Sequence, residues 1–384
     1  MIAVGDAMVK RAGSVDPSKY PDELFDLYSI PAFDRGEPEV ILGSKIGSTK
    51  QVVNPGDVLL SRIVPHIRRA WVVGEQAGRR VIASGEWMVF RSDSIDPDWL
   101  RHVLVGDQFH AQLMQTVAGV GGSLMRARPA HVSTIAIPLP PIEEQRRIAA
   151  ILDHADTLRA KRREALARLD ELGEAIYVDM FEARAIEVMH VRLDDVADIS
   201  SGITKGRKVN DSPLREVPYL AVANVQDKRL ELSAVKTIEA TAAEIQRWVL
   251  KQNDLLLTEG GDPDKLGRGT LWANELPEAI HQNHVFRVRP DCERVNPVYL
   301  NWAVGSSRGK AYFLRSAKQT TGIASINMTQ LKAFPLEMPD MRVQREFAQR
   351  VQALDSTRAS HRTALSELDA LFASLQSRAF RGEL

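Results

Sequence analysis

"PLPPIEEQRRIA", residues Pro138 to Ala149, sets three prolines ahead of two glutamates, a glutamine and a run of regularly spaced apolar residues. Proline fixes φ and carries no amide hydrogen, so Pro138, Pro140 and Pro141 impose an extended approach and permit helix only afterwards. Glu143 and Glu144 then suit the positive end of a first helical turn. From Glu143 to Phe181 no further proline occurs and only a single glycine. Ile148, Ile151, Ala155, Leu158, Ala165, Leu169, Leu172 and Ile176 follow the alternating three-and-four spacing of a heptad seam, which Arg162 interrupts. The stretch predicts one long helix, about 58 Å from end to end at about 1.5 Å per residue.

The pattern returns in "PLEMPDMRVQREFA", Pro335 to Ala348, and in the residues beyond Ala348. Phe347, Leu354, Ala364, Leu368, Leu371 and Leu375 stand at matching places, with His361 opposite Arg162. Over residues 145–181, 13 of 37 are identical to the residue 199 positions later, among them Gln145/Gln344, Asp156/Asp355, Arg159/Arg358, Leu169/Leu368 and Phe181/Phe380. Helical composition does not produce that many identities in one register, so the helix is a duplication. The segments before it also correspond. "NPGDVLLSRI" (Asn54 to Ile63) is matched by "KQNDLLLTEG" (Lys251 to Gly260), with Asp57 paired to Asp254. The expected order is a globular segment at 1–140, a helix at 141–186, a second globular segment at 187–337 and a second helix at 338–384.

Within the globular segments, short β-branched and aliphatic runs bounded by turn residues read as strands, among them "VVNPGDVLLSRI", "EWMVFRSD", "VPYLAVANV" and "DLLLTEGG". Interspersed stretches such as "DPDWLRHVLVGDQFHAQLMQTV" read as helix, so the class is α+β, expected as a curved sheet with helices on one side. A chain of 384 residues with 44% hydrophobic and 26% charged residues fits soluble globular modules. The lone Cys292 cannot form an internal disulfide, and it is expected as a small buried hydrophobe in a reducing cytoplasm. No signal-like apolar run opens the sequence, and nowhere do uncharged apolar residues run long enough to span a bilayer, so neither secretion nor a membrane is expected.

Motifs for catalysis are missing. No phosphate-cradling G-x-x-x-x-G-K-[ST] occurs, and "GVGGS" (Gly119 to Ser123) reads as a loop turn rather than a dinucleotide fingerprint. His281 and His284 in "HQNH" lack the further ligands that zinc needs, so no metal site is expected. Asp262, Asp264 and Lys265 resemble nuclease elements only loosely. Charge is more informative locally than globally. Fifty basic residues balance fifty acidic ones, yet Arg62, Arg68, Arg69, Arg79 and Arg80 lie together with His66 against a single Glu75. The second segment offers Lys205, Arg207 and Lys208, then Lys265 and Arg268, then Lys318, Gln319, Thr320 and Thr321. Basic side chains neutralise phosphates, and Arg, Asn, Gln and Thr are the types that read base edges. The residues therefore mark a candidate phosphate-contacting face.

Taken together, "IPLPPIEEQRRIAAILDHAD", "VPYLAVANVQDKRLEL", "NDLLLTEGGDPDKLGRGTLW" and "SRAFRGEL" make the chain resemble the specificity subunits of Type I restriction-modification systems. The resemblance covers essentially the whole chain. It implies two target-recognition domains that each read half of a split DNA site, with the two helices packed antiparallel as a coiled-coil spacer under pseudo-twofold symmetry. With double-stranded DNA as the partner so implied, Arg62, Arg68, Arg69, Lys265 and Arg268 would orient the duplex through its phosphates, and Asn224, Gln319 and Thr320 would help choose bases. The resemblance also implies docking of two methyltransferase subunits, and through them of restriction and translocase subunits. The chain itself would be non-catalytic, with the target adenine flipped into the methyltransferase and S-adenosylmethionine, ATP and Mg2+ held by partner subunits. One departure from the family pattern is Val343, where an acidic residue is expected before Gln344. A scaffold that binds only proteins is the rival of another class. A standalone methylation complex or a fused-nuclease system would use a similar subunit.

Overall fold

Gln145 and Gln344 fix the starts of the two long helices by the same bonds. In the computed structural model, which describes residues 1–119, 125–183, 187–208, 213–262, 265–320 and 323–383, these helices run Ile142–Tyr177 and Met341–Ala379. Gln145 donates from Nε2 to the Pro140 carbonyl (2.9 Å) and accepts at Oε1 from the amide of Asp96 (2.8 Å). Gln344 donates to the Pro339 carbonyl (2.8 Å) and accepts from the amide of Asn296 (2.9 Å). Both glutamines are buried. The prolines thus leave a carbonyl that no helical amide reaches, and the glutamine satisfies it while holding the cap of a neighbouring helix. Val343 does not disturb this arrangement, because Glu144, at the matching place, only pairs with Arg147 on the surface.

The chain divides into two compact units, one formed by residues 1–164 with 362–384 and the other by 165–361. In the first, a three-stranded antiparallel sheet orders Ala70–Val72, Val58–Ser61 and Trp87–Phe90, and a five-stranded mixed sheet lies around Leu24–Tyr28. Helices Pro97–Val105 and Asp107–Gln115 help close the core. Asp96 caps the first of them by accepting from the Trp99 amide at 3.0 Å, and Pro97 fills the first helical position. Val58, Leu60, Phe90, Trp99 and Leu104 pack there with Ile148 and Leu152 of the first long helix and Ala379 of the second.

The second unit repeats the recipe with different side chains. A four-stranded antiparallel sheet orders Ala197–Ser201, Val285–Pro290, Leu255–Thr258 and Gly269–Leu271. Helices Pro297–Gly305 and Ser307–Ser316 come next, the first capped by Asn296. Leu255, Leu257, Phe286, Tyr299 and Phe313 pack with Tyr177, Phe181, Phe347 and Val351 from the long helices. Asp57 and Asp254, matched in the sequence, are fully buried in their units. Asp57 accepts two bonds from Arg91 (2.6 and 2.7 Å) and one from the Asn54 amide (2.8 Å). Asp254 accepts two from Arg289 (2.7 Å each) and one from the Lys251 amide (2.7 Å).

The α+β class holds, but the strands are distributed over several small sheets in each unit rather than one curved sheet. They are short and bounded by glycine, proline or asparagine, which stops any one sheet from widening. The heptad seam is only partly the buried line. Ile148 and Ala155 are buried and Ile151, Ala165, Leu169, Ile176, Leu354, Ala364, Leu368 and Leu375 are half-buried. Leu158, Leu172 and Leu371 are 38%, 45% and 50% exposed. The covered stripe instead takes in buried Leu152 and half-buried Arg159 in the first unit, and buried Gly173, Tyr177 and Arg358 in the second. Sequence hydrophobicity cannot flag arginine or glycine as core-facing. Arg159 donates to Asp369 (2.6 Å), and Arg358 is paired with Asp170 (3.0 Å) and bonded to the Leu169 carbonyl (2.7 Å). Cys292 is exposed rather than buried, because it lies in the turn after strand Val285–Pro290. After Tyr177 the first long helix ends in a π-helical turn, Val178–Glu182, which carries Met180 and Phe181 into the core beside Tyr177.

Candidate nucleic-acid interface

In each unit the connection after a central strand carries some of the basic residues that the sequence singled out: Arg62, Arg68 and Arg69 in the first, Lys265 and Arg268 in the second. In the first unit it runs from Ser61 to Ala70. Its shape is set by Val64, which adopts φ +48°, and by bonds from the Val64 amide to the Met125 carbonyl (3.0 Å) and from the His110 ring to the Pro65 carbonyl (3.1 Å). A β-branched residue at positive φ is strained, so the surrounding contacts hold this loop in one conformation.

Most of the arginines expected to meet phosphate here are already paired. Arg62 and Arg126 share Glu86 (3.2 and 3.1 Å), Arg68 pairs with Asp107 (2.6 Å) and Arg69 with Asp34 (2.8 and 3.0 Å). Arg79 pairs with Asp26 and Arg80 with Glu23. The local excess of positive charge read from the sequence is therefore largely cancelled by carboxylates distant in the chain, which no window count detects. Glu86 and Glu23 are held below the usual carboxylate range mainly by hydrogen bonds from Arg126 and Arg80 respectively. Of this set, His66 and Arg68 remain exposed.

The second unit differs. Lys205 and Lys208 are exposed, whereas Arg207 is tied to Glu244 (2.5 and 2.7 Å), whose carboxyl falls to about 2 chiefly through that bond. Asn224 does not face solvent. It is buried, accepts from the Ala221 amide (2.9 Å) and donates to the carbonyls of Glu231 (2.8 Å) and Ala234 (3.1 Å), so its amide builds a turn and cannot read a base. Lys318 is exposed on strand Lys318–Thr320, which also contains Gln319 and Thr320, while Thr321 lies outside the described residues. His281 is buried, its Nδ1 donating to the Val285 carbonyl (2.7 Å), and burial lowers its pKa to about 4. His284 is exposed and pairs with Glu259. Among the described residues no group of three or more His, Cys, Asp or Glu side chains converges on a metal position.

What the structure brings together is a cavity of about 320 Å³ lined by Gln226, Asp227, Arg229, Lys265, Arg268 and Lys310, among others. Four cations thus line a concavity with Asp227, and one of them, Lys265, is also paired with Asp262. Lys265 and Arg268 were expected there; Arg229 and Lys310 come from a hairpin and a helix that sequence reasoning had passed over. Lys310 pairs with Asp227 only at 3.9 Å and Arg229 with Glu231 at 3.9 Å, distances at which a phosphate competes readily. Among the described residues no helix is long and apolar enough to cross a membrane.

The family model of the Type I restriction modification DNA specificity domain matches residues 186–370, a range that contains this cavity. A Type I restriction enzyme StySPI specificity subunit from Salmonella potsdam is 24% identical over 313 residues, covering 76% of this chain and 66% of that protein. The EcoKI specificity subunit of Escherichia coli K12 is 25% identical over 289 residues, covering 69% of this chain and 61% of that protein. The alignments therefore span slightly less than two thirds of these relatives' own length. Among solved structures, a chain from work on complex assembly and conformational transition of the type I R-M system aligns over 100% of this chain and 97% of its own, with TM-score 0.59 and 20% identity. The S subunit of a Type I restriction-modification system from M. genitalium aligns over 98% and 95%, with TM-score 0.58 and 11% identity. At those identities the structural likeness concerns the fold.

Proposed function

We propose, from the premise that the chain belongs to the Type I restriction-modification specificity-subunit family, that it is the DNA-recognising and non-catalytic subunit of such a complex. The observation that carries this reading is the cation-lined cavity of the second unit, which lies inside the matched specificity domain. A concave cluster of Arg and Lys drawn from a loop, a hairpin and a helix suits a polyanion whose groove edges also offer acceptors. His66 and Arg68 in the first unit, and Lys205, Lys208, Lys265, Lys318, Arg229 and Lys310 in the second, would meet phosphates.

In this proposal residues 1–140 and 187–337 are two recognition domains, each reading half of a split site. The helices at 141–186 and 338–384 would act as an antiparallel coiled-coil spacer, and the 199-residue repeat would supply pseudo-twofold symmetry. Support comes from the recurrence of the Gln145 and Gln344 bonds and from Leu172 and Leu371, equivalent residues that are both exposed. Two exposed leucines at matching places suit two copies of one partner, so methyltransferase subunits would dock there, bringing S-adenosylmethionine chemistry and, through restriction subunits, ATP and Mg2+. The cytoplasm is the compartment where such a complex meets DNA.

The test is a methylation map made by the assembled complex. A motif of two fixed halves around a constant gap supports the reading, and a gap that lengthens when one heptad is inserted into Ile142–Tyr177 supports the spacer. A complex that binds its partners but retards all DNA fragments equally would favour the protein-only scaffold.

A further inference from the structure

Arg69 and Arg268 stand at the same point of their units, immediately before strands Ala70–Val72 and Gly269–Leu271. The Arg69 carbonyl accepts from the Ser61 amide at 3.0 Å and the Arg268 carbonyl from the Thr258 amide at 3.1 Å. The side chains have opposite fates. Arg69 is closed by a two-bond pair with Asp34 and its side chain is 11% exposed. Arg268 has no carboxylate within salt-bridge distance among the described residues. Its Nη1 donates instead to Gln226 Oε1 at 3.0 Å, and its Nε is buried without a hydrogen-bond partner.

The surroundings hold that fork still. Gln226 donates from Nε2 to the Ala223 carbonyl (2.8 Å), which fixes its amide with the oxygen toward the arginine. The hairpin carrying Gln226 is pinned by the Lys228 amide on the Gly269 carbonyl (2.8 Å) and by Lys228 Nζ, 3.8 Å above the Trp302 ring. Glycines flank the arginine by necessity. Gly267 has φ +73°, and a Cβ on Gly269 would meet Leu257 at 2.3 Å. A guanidinium that is partly buried, oriented by a neutral amide and, among the described residues, in direct contact with no carboxylate lacks a pair of acceptors in its plane.

We propose that Arg268 is a specificity-determining residue that reads a guanine in the half-site of the second unit, through the O6 and N7 acceptors that a planar fork matches. The inference rests on the DNA-recognition reading above. It reassigns Arg268 from the phosphate contact expected of it, which the more exposed Lys265 and Arg229 can make from the rim of the same cavity.

The experiment is a base-resolution methylation map made by the full complex carrying wild-type chain, Arg268→Ala, Arg268→Lys, Gln226→Ala or Lys265→Ala. The wild-type motif should contain guanine in its second half. Arg268→Ala and Arg268→Lys should lose on the order of tenfold or more discrimination at that one position, with the gap and the first half unchanged. Gln226→Ala should relax the same position by less, and Lys265→Ala should lower methylation evenly at all sites. Arg268→Lys keeps the charge, so it remains informative should Arg268→Ala fail to assemble. A split motif left intact by Arg268→Lys and Gln226→Ala, or a second half without guanine, overturns the inference alone. A wild-type complex with no split motif overturns the DNA reading, and this inference with it.

Discussion

His102 in the first unit and Trp302 in the second sit at the same turn of equivalent helices, and the long helix beside each has adjusted its volume to suit. His102 lies 6.1 Å, centroid to centroid, from Phe372, over which Arg159 also stacks at 4.3 Å. Trp302 faces Gly173, the residue matching Phe372, where an added Cβ would lie 2.6 Å from the indole. One unit joins a small ring to a large helical residue and the other joins a large ring to none. The polar frame is meanwhile kept: Arg159 with Asp369, Arg358 with Asp170. The lesson is that the two halves preserve bonds and exchange shapes, so a sequence repeat can survive in its hydrogen bonds after its packing has diverged.

The strongest way to break this comparison is to give the second unit the helical residue of the first. Gly173→Phe should destabilise the second unit by about 3 kcal/mol through overpacking against Trp302. Gly173→Phe with Trp302→His should recover most of that loss in a denaturant titration. Two additive penalties would show that the pairs are not interchangeable.

The buried carboxylates should behave alike, as their bonds are alike. Asp57→Ala and Asp254→Ala are each predicted to cost about 2 kcal/mol, since each strands an amide and frees an arginine. Unequal midpoint shifts would mean that one clamp is dispensable. Protons offer a gentler probe. Burial keeps His281 neutral down to about pH 4 and also lowers His102. An unfolded histidine protonates near about pH 6.5, so below that value the unfolded chain takes up protons that the folded units refuse. Stability should be fully present above about pH 6.5 and fall as the pH drops toward 4, less steeply in His281→Asn. A flat profile over that window would contradict the burial of both rings.

The smallest effect sharpens the contrast between an exposed and a closed arginine pair. Arg68→Ala should reduce the salt slope of DNA binding by about 0.9, because its single pair with Asp107 is solvent-exposed and a phosphate displaces it, and Arg69→Ala should leave the slope unchanged because a two-bond pair with Asp34 holds that largely covered guanidinium. Equal slopes in both variants would merge the two arginines into one class.

The long helices, their duplication and the correspondence of Asp57 with Asp254 were legible because they depend on residue identity in a fixed register. Gln145 and Gln344 were visible as identities, but their task depends on proline carbonyls brought near by the fold. The candidate site was legible only as a set of basic loops. Which arginines are free depends on Asp34, Glu86 and Asp107, none of them inside the charged window that contained their partners. Asn224 was misjudged for the same reason. Its residue type suits base reading, yet the carbonyls of Glu231 and Ala234 claim its amide. Leu158, Leu172 and Leu371 looked like seam residues because periodicity reports which face is apolar, not what covers it.

The division of the chain into units also has a temporal side. The second unit is one unbroken stretch, 165–361, whereas the core of the first combines Val58, Trp99 and Ile148 with Phe372, Leu375 and Ala379. On the ribosome the stretch 165–361 can therefore consolidate while the earlier-made residues still lack their closing segment. The half synthesised first should thus be the last to close its core, once residues 362–384 emerge.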